Sequence, residues 1–544
     1  MQYRALTVLW IAATLSFWVW WLPGHAVSTP MFVIAALATA YVSTILPSFY
    51  WYFVGRAKAP EAHPAPEGMR VAVITPCVPS AESSDIVARQ LEALSRLDYP
   101  CDVWLLDEGD DPELAALCER YGAHHFSRKG RRRWNQAGPP FKAKTKAGNV
   151  NAWLDHVIES GLHYDVFVQF DIDHRPHPDY LDWVLGYFED PEIGWVQAPS
   201  VSGNLEYWTA RGQAEQETAL QGPLQMGFYG NSSTPFIIGS HTSYRMQAIR
   251  EIGGYQPTRA EDHLDTVVLA AHGYRGVYVP RVIAVGDGPT TFSTYLGQQF
   301  AWAYSMAQIL FEHTPHLLKN YSRAQAFQFL MAQSWYTLWS LACLTLWALP
   351  LVSLVSGVAI ADVRISDFLI HYIPVVATAT AMWWWSRSLF QPRFVRWSWR
   401  WLVLEAARWP IVLWAIVNAV LHVQRPYMIT PKGSQESIVP SGMRLYAPYL
   451  AMTWLALGAI AIFVLAGMPD SSAGYLWLAL LNAVASISVI VIASGIEAGQ
   501  VLRDAGPFAA IRARGPVTAV MLGTFLTLGM LLILTAPRLA ESMQ

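Results

Sequence analysis

Asp165–Pro176, DVFVQFDIDHRP, is the stretch whose reading decides the fold. Asp165–Phe170 is a short, buried-type apolar strand, and it ends at Asp171-Ile172-Asp173, where two carboxylates flank a single residue. Ligands of open α/β sheets gather at the carboxyl ends of strands. Two carboxylates emerging together at that edge suit hard oxygen coordination of Mg2+ or Mn2+ beside a diphosphate. Asp also favours an ordinary turn after a strand, and the spacing alone leaves both readings open.

Upstream, Arg70–Thr75 (RVAVIT) and Asp102–Asp107 (DVWLLD) read as two further strands, with a helical pattern over Ile86–Leu97 between them. Strand, helix and strand at this spacing make a βαβ unit, which puts Asp107 at a carboxyl end as well. In Lys144–Asn151 (KTKAGNVN), lysines and a glycine turn precede a helix expected over Ala152–Ile158. A helix N-terminus beside lysine suits a phosphate, and a solvated lysine loop fits the same residues. The basic run Arg128–Arg133 reads as surface facing anionic lipid headgroups. Downstream, Thr258–Asp265 (TRAEDHLD) forms a polar interval in a very apolar chain. Asp262 is the candidate general base, and Glu261 beside it would raise its pKa by like charge. An acidic pair of this kind also fits a solvated surface or a helix N-terminus.

The chain has 544 residues, 53% of them hydrophobic and only 14% charged, with a mean hydropathy of +0.25. It reads as a polytopic membrane protein with a polar insert. A net charge of −3 argues against a nucleic-acid partner, which needs a basic surface. Cys77, Cys101 and Cys118 in the insert and Cys343 in an apolar run are too few and too scattered for a disulfide framework or a zinc site. They fit a reducing compartment. The 25 tryptophans and 24 tyrosines exceed an interfacial belt, so the surplus is compatible with platforms for sugar rings as well as with core packing.

Apolar runs at Leu6–Leu22, Met31–Val54, Gln333–Ala359, Phe368–Trp385, Leu445–Leu465, Leu476–Ser494 and Val517–Leu534 are long enough for a bilayer core of about 30 Å. Phe394–Val423 is similarly apolar but contains Arg396, Arg400, Glu405, Arg408 and Pro410, so an amphipathic helix lying in the interface is expected there. With the polar insert cytoplasmic, Arg387–Arg400 and the loop carrying Arg503, Arg512 and Arg514 both fall inside, which supports this choice. The expected organisation is two transmembrane helices (1–54), a cytoplasmic domain (55–322), two further spans (323–390), an interfacial helix and loop (391–444) and three spans (445–544), about seven in all. No appended cyclic-di-GMP-binding (PilZ-type) module is expected after the last run.

Seven motifs in chain order resemble the processive, membrane-embedded family 2 glycosyltransferases, a family that includes bacterial cellulose, chitin and hyaluronan synthases. They are LLDEGDD, KAGNVNAWL, FDIDHRP, PFIIGSHTSYRMQAIREIGGY, TRAEDHLDTVVLAAHGYRGVYV, TFSTYLGQQFAWAYSMAQIL and RPYMITPKG. The cellulose synthase branch is most similar. The resemblance implies a glycosyltransferase A-type α/β domain inserted into a multi-span α-helical membrane domain. It implies that Asp107, Lys146, Asp171 and Gln298 bind the nucleotide sugar, that Asp173 with Asp171 holds Mg2+ or Mn2+, and that Asp262 deprotonates the acceptor hydroxyl. Trp302, with Glu261 nearby, would meet the acceptor sugar, and Thr430 and Lys432 would close over the nucleotide diphosphate. The expected activity is processive, inverting polymerisation of a β-glucan (cellulose, β-1,3-glucan or mixed-linkage) from UDP-glucose, with export through the enzyme's own channel in a bacterial inner membrane and with accessory export subunits as partners. Single-sugar transfer to a lipid carrier, synthesis of a chitin- or hyaluronan-like polymer, and a scaffold that has lost activity are the alternatives.

Two positions depart from the pattern. The motif Gln-x-x-Arg-Trp reads Gln298-Gln299-Phe300-Ala301-Trp302, so the arginine expected near the diphosphate is Ala301, leaving Lys432 or Arg245 as substitutes. Thr75–Ser80 (TPCVPS) stands where an aromatic followed by Asn-Glu is expected for the nucleobase, which leaves the base open.

Overall fold

The chain begins with three helical pieces, α1 (Gln2–Trp21), α2 (Thr29–Ala40) and α3 (Leu46–Val54), the last two joined through a π-helical turn. A polar domain follows, opening with β1 (Val71–Cys77), α4 (Ser84–Leu94), β2 (Asp102–Asp107), α5 (Pro112–Tyr121), β3 (His124–Ser127), α6 (Lys146–Glu159) and β4 (Val166–Phe170). It continues through β5 (Arg175–Pro176), α7 (Tyr180–Val184), β6 (Ile193–Gln197), α8 (Trp208–Ala219), α9 (Gln225–Ser232), β7 (His241–Arg245) and α10 (Met246–Glu251). It closes with α11 (Glu261–Ala271), β8 (Arg275–Tyr278), β9 (Ala284–Val285), α12 (Phe292–Gln308) and α13 (Thr314–Leu317). Six long helices complete the chain: α14 (Arg323–Ser356), α15 (Ile365–Ser386), α16 (Arg400–Val420), α17 (Met443–Leu465), α18 (Tyr475–Ala505) and α19 (Pro507–Glu541). The computed structural model describes residues 2–541 apart from 259, 391–397, 424–441 and 470–471. Thr430 and Lys432 lie outside the described residues.

Seven strands form one sheet in the order β3-β2-β1-β4-β7-β6-β8. β1 runs parallel to β2 and β4, and β7 is antiparallel to both β4 and β6. Side chains alternate across the pleat, as the two-residue repeat demands. Val71 and Val73 enter a layer with Leu94, Val166 and Val168, while Ala72 and Ile74 enter the opposite layer with Leu106, Trp153 and Phe167. Burial on both faces explains why these strands are continuous apolar runs. Cys77 pairs with Asp107, so the ends of β1 and β2 are level.

The expected strands fall within a residue or two of the observed ones, but two expectations change. The helix expected over Ala152–Ile158 begins at Lys146, inside the supposed lysine loop. Asn149 and Asn151 are poor helix formers, yet both are kept there by tertiary bonds: Asn149 Nδ2 donates to Leu106 O (2.8 Å), and Asn151 exchanges hydrogen bonds with the Tyr255 backbone (2.9 and 2.8 Å). The basic run Arg128–Arg133 is not uniformly surface. Arg132 and Arg133 are exposed, but Arg128 is fully buried, where its Nε and Nη2 grip Glu108 at 2.6 and 2.9 Å. Burial of the guanidinium is sustained by this two-pronged pairing.

Among the described residues, eight helices are long and apolar enough to cross a membrane: those at the seven expected spans, and Arg400–Val420 in the segment expected to lie in the interface. The charges that argued against it partner each other: Arg408 Nη2 meets Glu405 Oε1 at 2.7 Å, and the guanidinium lies over Trp335 and Trp339. Pairing and ring contact offset the desolvation that a count of charges assigns to each separately. α16 packs against α12 and α8 of the polar domain as well as against α14 and α18. α14 is 34 residues long, or about 51 Å at 1.5 Å per residue. It therefore exceeds a bilayer core, and its N-terminal turns pack against the polar domain through Gln328 and Phe329.

Candidate active site

The end of β4 turns sharply because Asp171 N donates to Ser240 O (2.8 Å) and His174 N donates back to Asp171 O (2.9 Å). This turn brings Asp171, Asp173 and His174 together, with one ligand-type atom from each within 4.8 Å of the others. Asp173 is almost fully buried, whereas Asp171 is partly open to the adjoining cavity. Two carboxylates and an imidazole suit a borderline-hard divalent ion such as Mn2+, and the carboxylates alone suit Mg2+. His174 Nε2 lies 3.2 Å from Ser200 Oγ, which fixes the ring. The sequence pattern did not single out His174, although it stands next to Asp173 in the same motif.

Lys146, the first residue of α6, reaches across the strand ends. Its Nζ lies 2.7 Å from Asp171 Oδ1 and 3.2 Å from Glu261 Oε1, and it donates to Gly239 O at 2.9 Å. Asp262 follows Glu261 in the first turn of α11. Burial, and then the Glu261 charge, push the Asp262 carboxyl up to about 7, against the opposing pull of Lys146 and of the His263 N–H at 2.7 Å. A carboxylate with that pKa is matched to accept a proton near neutral pH. Gly239 makes the close approach possible. Its φ is +76°, and a Cβ there would stand 2.7 Å from Asp262 Oδ2. Four of the expected residues, Lys146, Asp171, Glu261 and Asp262, thus form one connected group, with Asp173 in the adjoining turn.

α12 is capped by Thr291, whose Oγ1 accepts from Thr294 N (3.1 Å), and brings Gln298, Ala301 and Trp302 to the same cavity. Trp302 is 37% exposed, much for so large an apolar ring. Gln298 Oε1 and Gln299 Oε1 are buried without a hydrogen-bond partner among the described residues, so both amides have acceptor capacity to spare. The cavity holds about 2320 Å³, against roughly 300–1,000 Å³ for a typical small-molecule pocket. It runs without interruption from Asp171 and Glu108 at the strand ends, past Asp262 and Trp302, to Tyr336, Thr380 and Glu405 on the long apolar helices.

Asp107 is placed differently. It is fully buried; its carboxylate accepts from Gly109 N (2.7 Å) and Asp111 N (2.5 Å) and lies 3.0 Å from His125 Nε2. Its neighbour Glu108 lines the cavity in its place. Arg245, a suggested stand-in for the missing arginine, is committed elsewhere, donating to the carbonyls of Phe188, Asp190 and Ile193.

The profile of the family described as glycosyl transferase family group 2 matches residues 166–491. A UDP-forming cellulose synthase of Dictyostelium discoideum is 31% identical over 174 residues, 31% of this chain and 16% of that protein. Cellulose synthase 2 of Novacetimonas hansenii is 24% identical over 470 residues, 82% of this chain and 28% of that protein. The chain therefore spans well under two thirds of the length of these relatives. Among solved structures, a mannosyltransferase from Pyrobaculum calidifontis in complex with GDP-Man and Mn2+ is 18% identical, with a TM-score of 0.48 over 72% of this chain and 100% of that one.

Proposed function

The chain belongs to glycosyl transferase family group 2, and from that premise we propose that it is a processive, inverting transferase. It extends a β-linked glucan from UDP-glucose and passes the product towards its apolar helices. The observation that carries this reading is the single cavity joining Lys146, Asp171 and Asp262 to Trp302 and then to Tyr336 and Glu405. Transfer of one sugar to a small acceptor needs a pocket; a volume of about 2320 Å³ leading to long apolar helices accommodates several linked sugars.

Asp262 takes the proton from the acceptor hydroxyl as its oxygen bonds to the anomeric carbon of the donor. The bond from that carbon to the diphosphate breaks on the opposite face, and the nucleoside diphosphate leaves with the electron pair, so an α-linked donor gives a β-linkage. Trp302 offers an apolar face to the acceptor ring, and the spare acceptor atoms of Gln298 and Gln299 receive sugar hydroxyls. Lys146 holds Asp171 and Glu261 in place and adds positive charge beside the departing diphosphate. Asp171, Asp173 and His174 are the residues to hold Mg2+ or Mn2+, which supplies charge neutralisation for the diphosphate when bound. We place the polar domain in the cytoplasm, where nucleotide sugars are made, and the long helices in a bacterial inner membrane, with export subunits as candidate partners.

Full-length protein in nanodiscs, given radiolabelled UDP-glucose with Mg2+ or Mn2+, is expected to yield insoluble polymer, and linkage-specific glucanases then name the bond. Incorporation into a lipid-extractable product alone would replace polymerisation by transfer to a carrier, and no incorporation from any nucleotide sugar would overturn the enzymatic reading.

A further inference from the structure

A bound diphosphate needs cationic partners, and Ala301 lines the cavity where an arginine is expected from the motif. Among the described residues, the lysines and arginines lining the cavity are Arg89, Lys144, Lys146, Arg175 and Arg408. Three have carboxylate partners: Lys146 with Asp171 and Glu261, Arg175 with Asp287 at 3.2 Å, and Arg408 with Glu405 at 2.7 Å. Lys144 and Arg89 have none among the described residues.

Lys144 is held at its backbone by a carboxylate and at its tip by a neutral hydroxyl. Its N–H donates to Glu108 Oε1 (2.8 Å), the same carboxylate that buried Arg128 grips, and its φ of 66° is left-handed, uncommon for a lysine. Its Nζ donates to Ser80 Oγ (2.9 Å), in the loop after β1. Lys144 thus links the loops that follow the level ends of β1 and β2, its N–H on Glu108 and its ammonium on Ser80, and it precedes by two residues Lys146, which meets Asp171. A neutral hydroxyl is a weak partner for an ammonium, and a phosphate oxygen makes a shorter, charge-assisted bond. Arg89, exposed on α4, has no hydrogen bond to the strand ends among the described residues.

We propose that Lys144 supplies the donor diphosphate with the positive charge that position 301 lacks, its Nζ passing from Ser80 Oγ to a phosphate oxygen when the nucleotide sugar binds. This rests on the cavity being a nucleotide-sugar site. The test is calorimetric titration of the full chain in nanodiscs with Mn2+. UDP, GDP and ADP are first titrated into the wild type, and the tightest is then compared with its own nucleoside. Absence of binding by all three would overturn the donor-site reading and this inference with it. With binding established, Lys144→Gln is expected to weaken the diphosphate by about tenfold while leaving the nucleoside unchanged, the magnitude of one lost charge-assisted bond. Lys144→Arg and Ser80→Ala are expected to retain affinity, and Ala301→Arg added to Lys144→Gln is expected to restore it. Equal weakening of nucleotide and nucleoside would mark Lys144 as merely structural. An unchanged diphosphate affinity, or a loss on Arg89→Gln in place of Lys144→Gln, would equally overturn the proposal.

Discussion

The ends of β2 and β4 carry the same signature, an aspartate closing an apolar parallel strand, and the structure uses them in opposite ways. At Asp107 the chain turns back through Gly109 and Asp111, whose N–H groups consume the carboxylate, and His125 closes over it. At Asp171 the turn is closed by backbone bonds to Ser240 and His174, and the Asp171 carboxylate meets side chains instead, Gln169 and the Lys146 ammonium at the cavity wall. A carboxylate is available for chemistry only when its own loop does not need it. The difference lies in which groups satisfy the turn, and that is a matter of three-dimensional neighbours.

The comparison can be tested by substitution. The largest effect is expected at the group with the most direct chemical part: Asp262→Asn should lower polymer synthesis by roughly a thousandfold, with nucleotide affinity within about twofold by calorimetry. Full activity in that variant would remove Asp262 as the base. Between the strand ends, Asp173→Asn is expected to lower turnover by about a hundredfold, with restoration at raised Mn2+ and little change in Tm. Asp107→Ala, in contrast, orphans two loop N–H groups and should cost about 2–3 kcal/mol of stability, read as a fall in Tm. If Asp107→Ala leaves Tm intact and abolishes metal-dependent binding instead, the two strand ends are alike after all.

Gly239→Ala places a methyl 2.7 Å from Asp262 Oδ2 at a left-handed backbone position; a fall in turnover of about tenfold is expected, from roughly 1–2 kcal/mol of strain shared with a displaced base. The smallest effect concerns pH. Asp262 must be ionised to accept a proton, and its carboxyl is pushed up to about 7, so kcat should rise with pH through about 7 and fall on the acid side. Glu261 is one cause of the upward push, and Glu261→Gln should move that midpoint to lower pH. A midpoint that stays put would show that burial alone sets it.

Much of this was legible in the residues. Three of the seven strands of the main sheet, β1, β2 and β4, announced themselves as short apolar runs, whereas β3, β6, β7 and β8 did not; Lys146, Asp171, Glu261 and Asp262 were each singled out, and the structure brings them together. Three further things were not legible. The start of α6 was hidden because Asn149 and Asn151 disfavour a helix locally and are held by partners far along the chain, Leu106 and Tyr255. Burial of Arg128 was hidden because its partner Glu108 is 20 residues away and indistinguishable from a surface acid. The pairing within Arg400–Val420 was hidden because Glu405 and Arg408 count as two separate charges until their contact is seen.

The sequence by itself determined the class of fold, the polar domain set among apolar helices, and the inventory of acidic and basic groups, because hydrophobic period and residue chemistry are local properties. The tertiary structure decided which of those groups remain free for a ligand. That depends on distances between residues tens to hundreds of positions apart: Lys146 on Asp171 and Glu261, Gly239 against Asp262, Lys144 on Ser80, and Asp107 closed within its own loop.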